Sequence, residues 1–444
     1  MPRKENAIRK ASLILLALAL AAIPAAGRGI LEARRTPLRV WVIGPDASAE
    51  ATWTDFQAAL EGLRKSDPRL RVEVKAFPAD GYGERLASAL AAADGPDAFS
   101  FWGGSRLRPL VADGRILALD PYLDDAFRSR LLPGLAEEFL VDGKTCGLPF
   151  GAHAAVLFCN RDLFRSYGLE TPGAFDGLLE AVRTFRRGGT TAFAMGDRER
   201  WPAALFFETL AARRAGSGAA VRERVLAGKF DDPAFLAAAH DVKRLVDAGA
   251  FRAEAADRSL FAEGIEAFRD GRAAMMYQGS WLAGSLEGDG SRVKGRVDVA
   301  AFPGAATAAA PGAATAAAPG AATAAAGSSL WGGAFLGLCV NARGAHAADA
   351  AAFVKEIAPL QDRIACRSGT SLPCFLGSRE ANGMGTDLGS RMAALMERSA
   401  DHAPNWDMLL EEKAERAYLE AVAGLFRGAV TPEAFVASLG RRTP

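Results

Sequence analysis

Among residues able to do chemistry, the tryptophans carry the clearest signal. There are seven, and five lie close to Gly or Pro in segments that read as loops. They are Trp102 (Phe-Trp-Gly-Gly), Trp201 (Arg-Trp-Pro), Trp281 (Gly-Ser-Trp), Trp331 (Leu-Trp-Gly-Gly) and Trp406 (Asn-Trp-Asp). A sugar ring presents an apolar C–H face that stacks on indole, and hydroxyls that bond to Asp, Arg or His. Aromatic planes with a few polar groups in a cleft suit such a ligand. For each indole taken alone, the other reading is a core side chain.

Catalytic and metal-binding patterns do not assemble. The four histidines, His153, His240, His346 and His402, are scattered, and the five cysteines contain no C-x-x-C. No metal is expected from such spacing. Gly143-Lys144-Thr145 resembles the end of a phosphate-binding loop, but the glycine required five residues earlier is Glu138. Without it the phosphate-cradling turn is missing. No Gly-x-Ser-x-Gly elbow is present. The acid pairs Asp124-Asp125 and Asp231-Asp232 read as solvated turns or helix caps rather than glycosidase carboxylates. The expectation is a protein with no catalytic residue and no cofactor.

The elements that position these residues alternate. Leu38–Ile43 reads as a strand, 52–65 as a helix on the spacing of Trp53, Phe56, Leu60 and Leu63, and 70–74 as a second strand. A helix over 82–92 and a strand over Asp97–Phe101 complete a β-α-β-α-β unit. That order implies a parallel sheet with helices on its faces, and ligands then sit beyond the carboxyl ends of the strands. The loops at Gly44-Pro45-Asp46 and Trp102-Gly103-Gly104 fall there. Further helices are expected to start at Thr171-Pro172, Asp232-Pro233 and Thr431-Pro432, each a capping residue followed by Pro. Short strands are expected over Ala155–Cys159, Ala273–Tyr277, Val297–Phe302 and Ala334–Val340.

Length and charge bound the rest. A chain of 444 residues predicts two or three lobes. The net charge of +1 is unevenly placed: the first 35 residues carry a net +5, so the remainder is near −4. A mildly acidic body argues against nucleic acid as a partner. Lys10 and Arg28 bracket 17 uncharged residues rich in Leu and Ala. Residues 1–35 therefore read as a signal peptide, with Ala25-Ala26-Gly27 as the cleavage site, or as an uncleaved membrane anchor. Either places the body outside the cytoplasmic membrane, in the periplasm or on the membrane's outer face. In that compartment Cys366 and Cys374 either pair or remain buried thiols. Residues 303–326 repeat Pro-Gly-Ala-Ala-Thr-Ala-Ala-Ala three times and read as a low-complexity surface loop.

From about residue 38 onward the chain resembles the extracellular solute-binding proteins of ABC-type sugar importers, the group that includes maltose-binding protein. The resemblance runs through Asp97-Ala-Phe-Ser-Phe-Trp-Gly-Gly104, Leu110-Val-Ala-Asp-Gly114 and Leu119-Asp-Pro-Tyr-Leu123. It continues in Gly143-Lys-Thr-Cys-Gly-Leu-Pro-Phe150 with Leu157-Phe-Cys-Asn-Arg-Asp-Leu-Phe164, where Cys146 and Cys159 replace two family tyrosines. Phe261–Met275 leading into Gly279-Ser280-Trp281, and Thr431-Pro432-Glu433, extend it to the C-terminus.

This resemblance implies an α/β, two-lobed periplasmic-binding-protein fold, each lobe a sheet flanked by helices, with three hinge crossings. One lobe is expected over 38–150 plus 278–338 and the other over 151–277 plus 339–444. It also implies a carbohydrate ligand captured between the lobes and delivered to ABC transporter permease subunits by a monomer. By the family's pattern the ligand-binding residues are Asp46, Trp102, Arg106, His153, Trp201, Trp281 and Trp406. The competing expectations are a membrane-tethered sensing subunit of the same fold and a secreted carbohydrate-active enzyme.

Overall fold

The computed structural model describes residues 37–44, 50–79, 81–92, 95–132, 135–303, 330–334, 336–369, 371–378, 387–397, 402–403 and 405–440. The leader at 1–35, Asp46 and all of the repeat except Pro303 lie outside the described residues.

The strands begin with β1 (Leu38–Ile43), β2 (Val72–Phe77), β3 (Ala98–Trp102), β4 (Leu140–Val141), β5 (Lys144–Thr145) and β6 (Leu148–Pro149). They continue with β7 (His153–Asn160), β8 (Thr191–Phe193), β9 (Ala273–Gly279) and β10 (Val297–Ala300). The last are β11 (Leu330–Gly333), β12 (Leu336–Val340) and β13 (His402–Ala403). Two sheets dominate, in the orders β2-β1-β3-β12-β6 and β13-β11-β7-β9-β8, with β10 also on β7.

The first sheet follows from the alternation in Leu-Arg-Val-Trp-Val-Ile. Its odd members Leu38, Val40 and Val42 share a buried cluster with Phe56, Ala59 and Leu60 of the helix Glu50–Ser66. Phe353, Val354 and Ile357 of the helix Ala347–Ser368 join the same cluster. The opposite face, with Ile43, Phe99 and Phe101, meets Tyr82, Leu86 and Leu90 of the helix Tyr82–Ala91, and Phe139. Burying each large side chain contributes roughly 1.5–3 kcal/mol. β1 runs parallel to β2 and β3, as the β-α-β-α-β reading required.

β7 is buried along nearly its whole length, because helices cover both faces of the second sheet. Ala154, Val156 and Phe158 face one cluster, and Ala155, Leu157 and Cys159 the other. The strongly amphipathic helices Phe175–Arg187 and Pro233–Ala248 pack on the second of these faces. Asp232 caps the latter through Ala234 N–H, and Gly249 ends it at φ 78°. Thr431 caps the last helix in the same way. Thr171-Pro172 does not open a helix. Pro172 is followed by Gly173, which favours a turn, and the helix starts at Phe175.

The allocation of segments to the two sheets differs from expectation. The sequence reading puts residues 278–338 in the first lobe, yet β10 and β11 both pair antiparallel with β7. Conversely, the end of β12 (Cys339 and Val340) and the helix Ala347–Ser368 belong by that reading to the second lobe, yet they pack in the first sheet. The chain passes between sheets from β6 to β7, from β11 to β12, and after Ser368 toward the helix Asp387–Glu397, which packs on β10. Short apolar strands of similar composition fit either sheet's open edge, so local pattern does not choose between them. All five cysteines are buried free thiols, so Cys366 and Cys374 form no disulfide.

Candidate ligand-binding site

Two of the crossings lie side by side and run antiparallel. Pro149 pairs with Gly337 and His153 with Gly333, while Leu336 pairs with Trp102. Trp102 at the carboxyl end of β3 and His153 at the start of β7 therefore flank the same crossing. Gly332 permits this approach, since a Cβ there would meet the His153 carbonyl oxygen.

An aromatic group is built around Trp281. Its ring lies 5.4 Å from His153 at 80°, 6.0 Å from Trp201 at 61° and 6.5 Å from Trp331 at 71°. Ser280 accepts from Ala154 N–H at 3.2 Å, which ties the start of the Trp281 turn to β7. Trp201 opens the helix Trp201–Ala215, and the Asp197 carboxylate accepts from Ala203 N–H at 2.9 Å in its first turn. Burial pushes the Asp197 carboxyl up to about 7. His153, Trp201 and Trp281 are half-buried. The His153 Nδ1 is itself buried and has no hydrogen-bond partner. Burial pushes this imidazole down to about 4, so it is neutral at ordinary pH and offers one donor and one acceptor. These three residues bring together indole edges and one uncommitted polar ring.

Trp102 is half-buried, edge-on to Tyr82 at 6.1 Å and to Phe101 at 5.5 Å. The Arg106 guanidinium lies 5.4 Å from its ring centre. Arg106 also donates to Glu415 at 2.8 Å, on the helix Glu412–Phe426 of the second-sheet side. Arg106 thus links the two sides of the molecule. Trp406 corrects the expectation of a stacking platform. It is fully buried, stacked at 5.2 Å on Tyr418 and edge-on to Phe207 and Phe235. Trp331 is likewise core, its indole N–H donating at 2.7 Å to the buried Glu208. Glu208 also accepts from the Trp406 backbone N–H and from the Tyr418 hydroxyl, so one carboxylate ties the Trp331 indole, the Trp406 backbone and Tyr418 together, while the Trp406 indole Nε1 is buried without a partner.

Sequence reasoning missed a second bridge between the sheets. Arg222, on the helix Gly218–Leu226, donates at 2.7 Å to Glu138, in the turn Glu137–Phe139. The other Glu138 oxygen, Oε2, is buried without a partner. Nearby, the left-handed Gly104, at φ 66°, lies so close to the Met408 carbonyl that a Cβ would collide with it. Gly104, Ser105, Glu138, Arg222 and Met408 line a crevice of about 20 Å³, room for about one water. The partners are 84 and 309 positions apart, and no sequence periodicity reveals such pairs. Among the described residues no group of three or more His, Cys, Asp or Glu could hold a metal, and no helix is long and apolar enough to cross a membrane.

Residues 51–360 match the family model described as bacterial extracellular solute-binding protein. A structure from work on xylan utilization by Caldanaerobius polysaccharolyticus is similar, with a TM-score of 0.78 and 26% identity, covering 92% of this chain and 100% of that one. A chitin oligosaccharide binding protein superposes with a TM-score of 0.76 at 22% identity, covering 91% of this chain and 97% of the other, a likeness of fold. Among sequence relatives, an uncharacterized ABC transporter extracellular-binding protein of Pyrococcus horikoshii is 23% identical over 59% of this chain. A putative binding protein of Brucella abortus is 24% identical over 57%. The matches span 58% and 60% of the length of those two relatives. The α/β architecture of sheets flanked by helices is thus the two-lobed fold of periplasmic binding proteins.

Proposed function

Because the chain belongs to the bacterial extracellular solute-binding proteins, a family of receptors rather than enzymes, we propose that it captures a sugar or oligosaccharide between two lobes and delivers it to the permease of an ABC transporter. The observation that carries the sugar reading is the group of half-buried Trp281, Trp201 and His153, with its unpartnered Nδ1, beside a crossing that Trp102 also flanks. Indole planes take the C–H faces of a pyranose, and a neutral imidazole takes or gives one hydroxyl hydrogen bond. Asp46, in the loop after β1, is proposed as a further polar contact on the family's pattern.

In this reading one lobe comprises about 38–149 and 336–369. The other comprises about 153–300, 330–333 and 387–439. Closure of the two is a hinge motion about the crossings. The protein acts outside the cytoplasmic membrane, as its family does. Residues 1–35 are proposed as the export signal or anchor, and the receptor as a monomer.

Titration calorimetry against a panel of mono- and oligosaccharides tests the reading. Binding of at least one sugar, weakened on Trp281→Ala, is expected. No heat with any sugar would refute it.

A further inference from the structure

Away from the aromatic group, three arginines gather that make no ion pair among the described residues. Arg363 and Arg367 stand one turn apart near the end of the helix Ala347–Ser368. Leu131 bridges to Phe375, and Leu376 N–H donates to the Arg130 carbonyl at 2.6 Å, which brings Arg130 to the same place. The Arg130 guanidinium lies 5.9 Å from the ring centres of both Phe127 and Phe375. Arg130 and Arg367 are exposed and Arg363 is half-buried. Burial and the charges of Arg130 and Arg367 lower the pKa of Arg363.

Among the described residues no carboxylate lies within ion-pair distance of any of the three. The adjacent Asp362 is buried and committed to the backbone N–H groups of Cys374 and Phe375. Other cations nearby are neutralised: Arg128 by Asp120 and Lys355 by Asp124. Folding gains little from the cluster, because like charges one helical turn apart repel. Beside it, Leu376 is 56% exposed, the most exposed large hydrophobic among the described residues.

We propose that Arg130, Arg363, Arg367 and Leu376 form a contact for the anionic phosphodiester headgroups of a lipid bilayer, with the guanidiniums on phosphate and Leu376 entering the interface. The composition favours a bilayer over a protein. A stable protein interface engages about 20–30 residues a side around an apolar centre. A membrane contact needs only clustered cations and an apolar side chain that can enter the headgroup boundary. The rest of the body is mildly acidic in sum, so the patch differs in sign from the charge of the body as a whole. A protein working outside the cytoplasmic membrane meets the outer leaflet in the course of its function. The proposal stands independently of which solute the cleft takes.

The test is co-sedimentation of the full chain with phosphatidylglycerol-containing vesicles and with pure phosphatidylcholine vesicles at low salt. The chain from residue 36 onward is measured beside the full chain, so that partition through the basic, apolar residues 1–35 is read separately and subtracted. Partition onto the anionic vesicles is expected to fall about fivefold in Arg367→Gln and roughly 100-fold in R130Q/R363Q/R367Q. Leu376→Ser should weaken binding without changing its salt dependence. A cooperative melt shows that the triple variant folds, and the exposed Arg367→Gln provides a readout if it does not. Equal binding of wild type and Arg367→Gln, or no binding of wild type, overturns the proposal. So does displacement by inorganic phosphate beyond that by chloride at equal ionic strength, which would assign the site to free phosphate.

Discussion

Replacing Arg222 with Ala should weaken ligand binding without touching the ligand. Arg222 and Glu138 come from opposite sides of the molecule and meet at 2.7 Å, with side chains only 29% and 11% exposed. Glu138 already has one buried oxygen without a partner. Removing the guanidinium leaves that carboxylate unpaired in the crevice. A hydrogen bond to a charged group contributes about 1.5–3 kcal/mol, and here the loss falls only on the form in which the lobes meet. In an open form both groups face water and nothing is lost. Closure is therefore disfavoured by about 2 kcal/mol, and the apparent Kd for sugar should rise roughly 10- to 100-fold. Glu138→Ala should cost as much, and the double variant little more than either alone, because the two act as one pair. Calorimetry on the best ligand from the saccharide panel reads the Kd, and small-angle scattering reads closure. If Arg222→Ala binds within twofold of wild type while melting normally, the pair does not govern closure and the reasoning fails.

Three further outcomes are expected. His153 and Asp197 oppose one another in acid. The folded pKa of His153 is depressed to about 4, so it contributes up to about 3 kcal/mol above its ordinary 6.5 that is lost as pH falls toward 4. That of Asp197 is raised to about 7, so its contribution is complete below about 4 and lost as pH rises toward 7. Melting curves from pH 4 to 7 should therefore show stability declining with pH in His153→Gln and rising in Asp197→Asn, relative to wild type; parallel profiles would refute the assignment. Trp406→Ala should lower stability by about 3–5 kcal/mol, as a fully buried indole is lost, whereas Trp281→Ala should chiefly weaken binding; denaturant titration paired with calorimetry separates them. Gly104→Ala sets a Cβ against the Met408 carbonyl in a left-handed turn, so scattering should find it more open than wild type, with at least tenfold weaker binding.

Much of the architecture was legible in the chain. The alternation in Leu38–Ile43, the helical spacing from Trp53 to Leu63 and the caps at Asp232 and Thr431 are local patterns, set by contacts between near neighbours. Ordered motifs from Phe101-Trp102-Gly103-Gly104 to Gly279-Ser280-Trp281 carried the family, and with it the two-lobed receptor. The tertiary structure decided what local pattern leaves open. Val297–Ala300 alternates equally well in either sheet, and only the assembled sheet sets it antiparallel against Leu157–Asn160 of the central strand β7. Trp281 and Trp406 both follow polar residues in irregular segments. One is half-buried beside His153 and Trp201, whereas the other is closed in by Phe207, Phe235 and Tyr418. Arg106 carries the same charge wherever it points, and its partner Glu415 stands 309 positions away. Burial and long-range pairing are properties of assembled surfaces, and these determine which indole meets solvent and which ion pair joins the lobes.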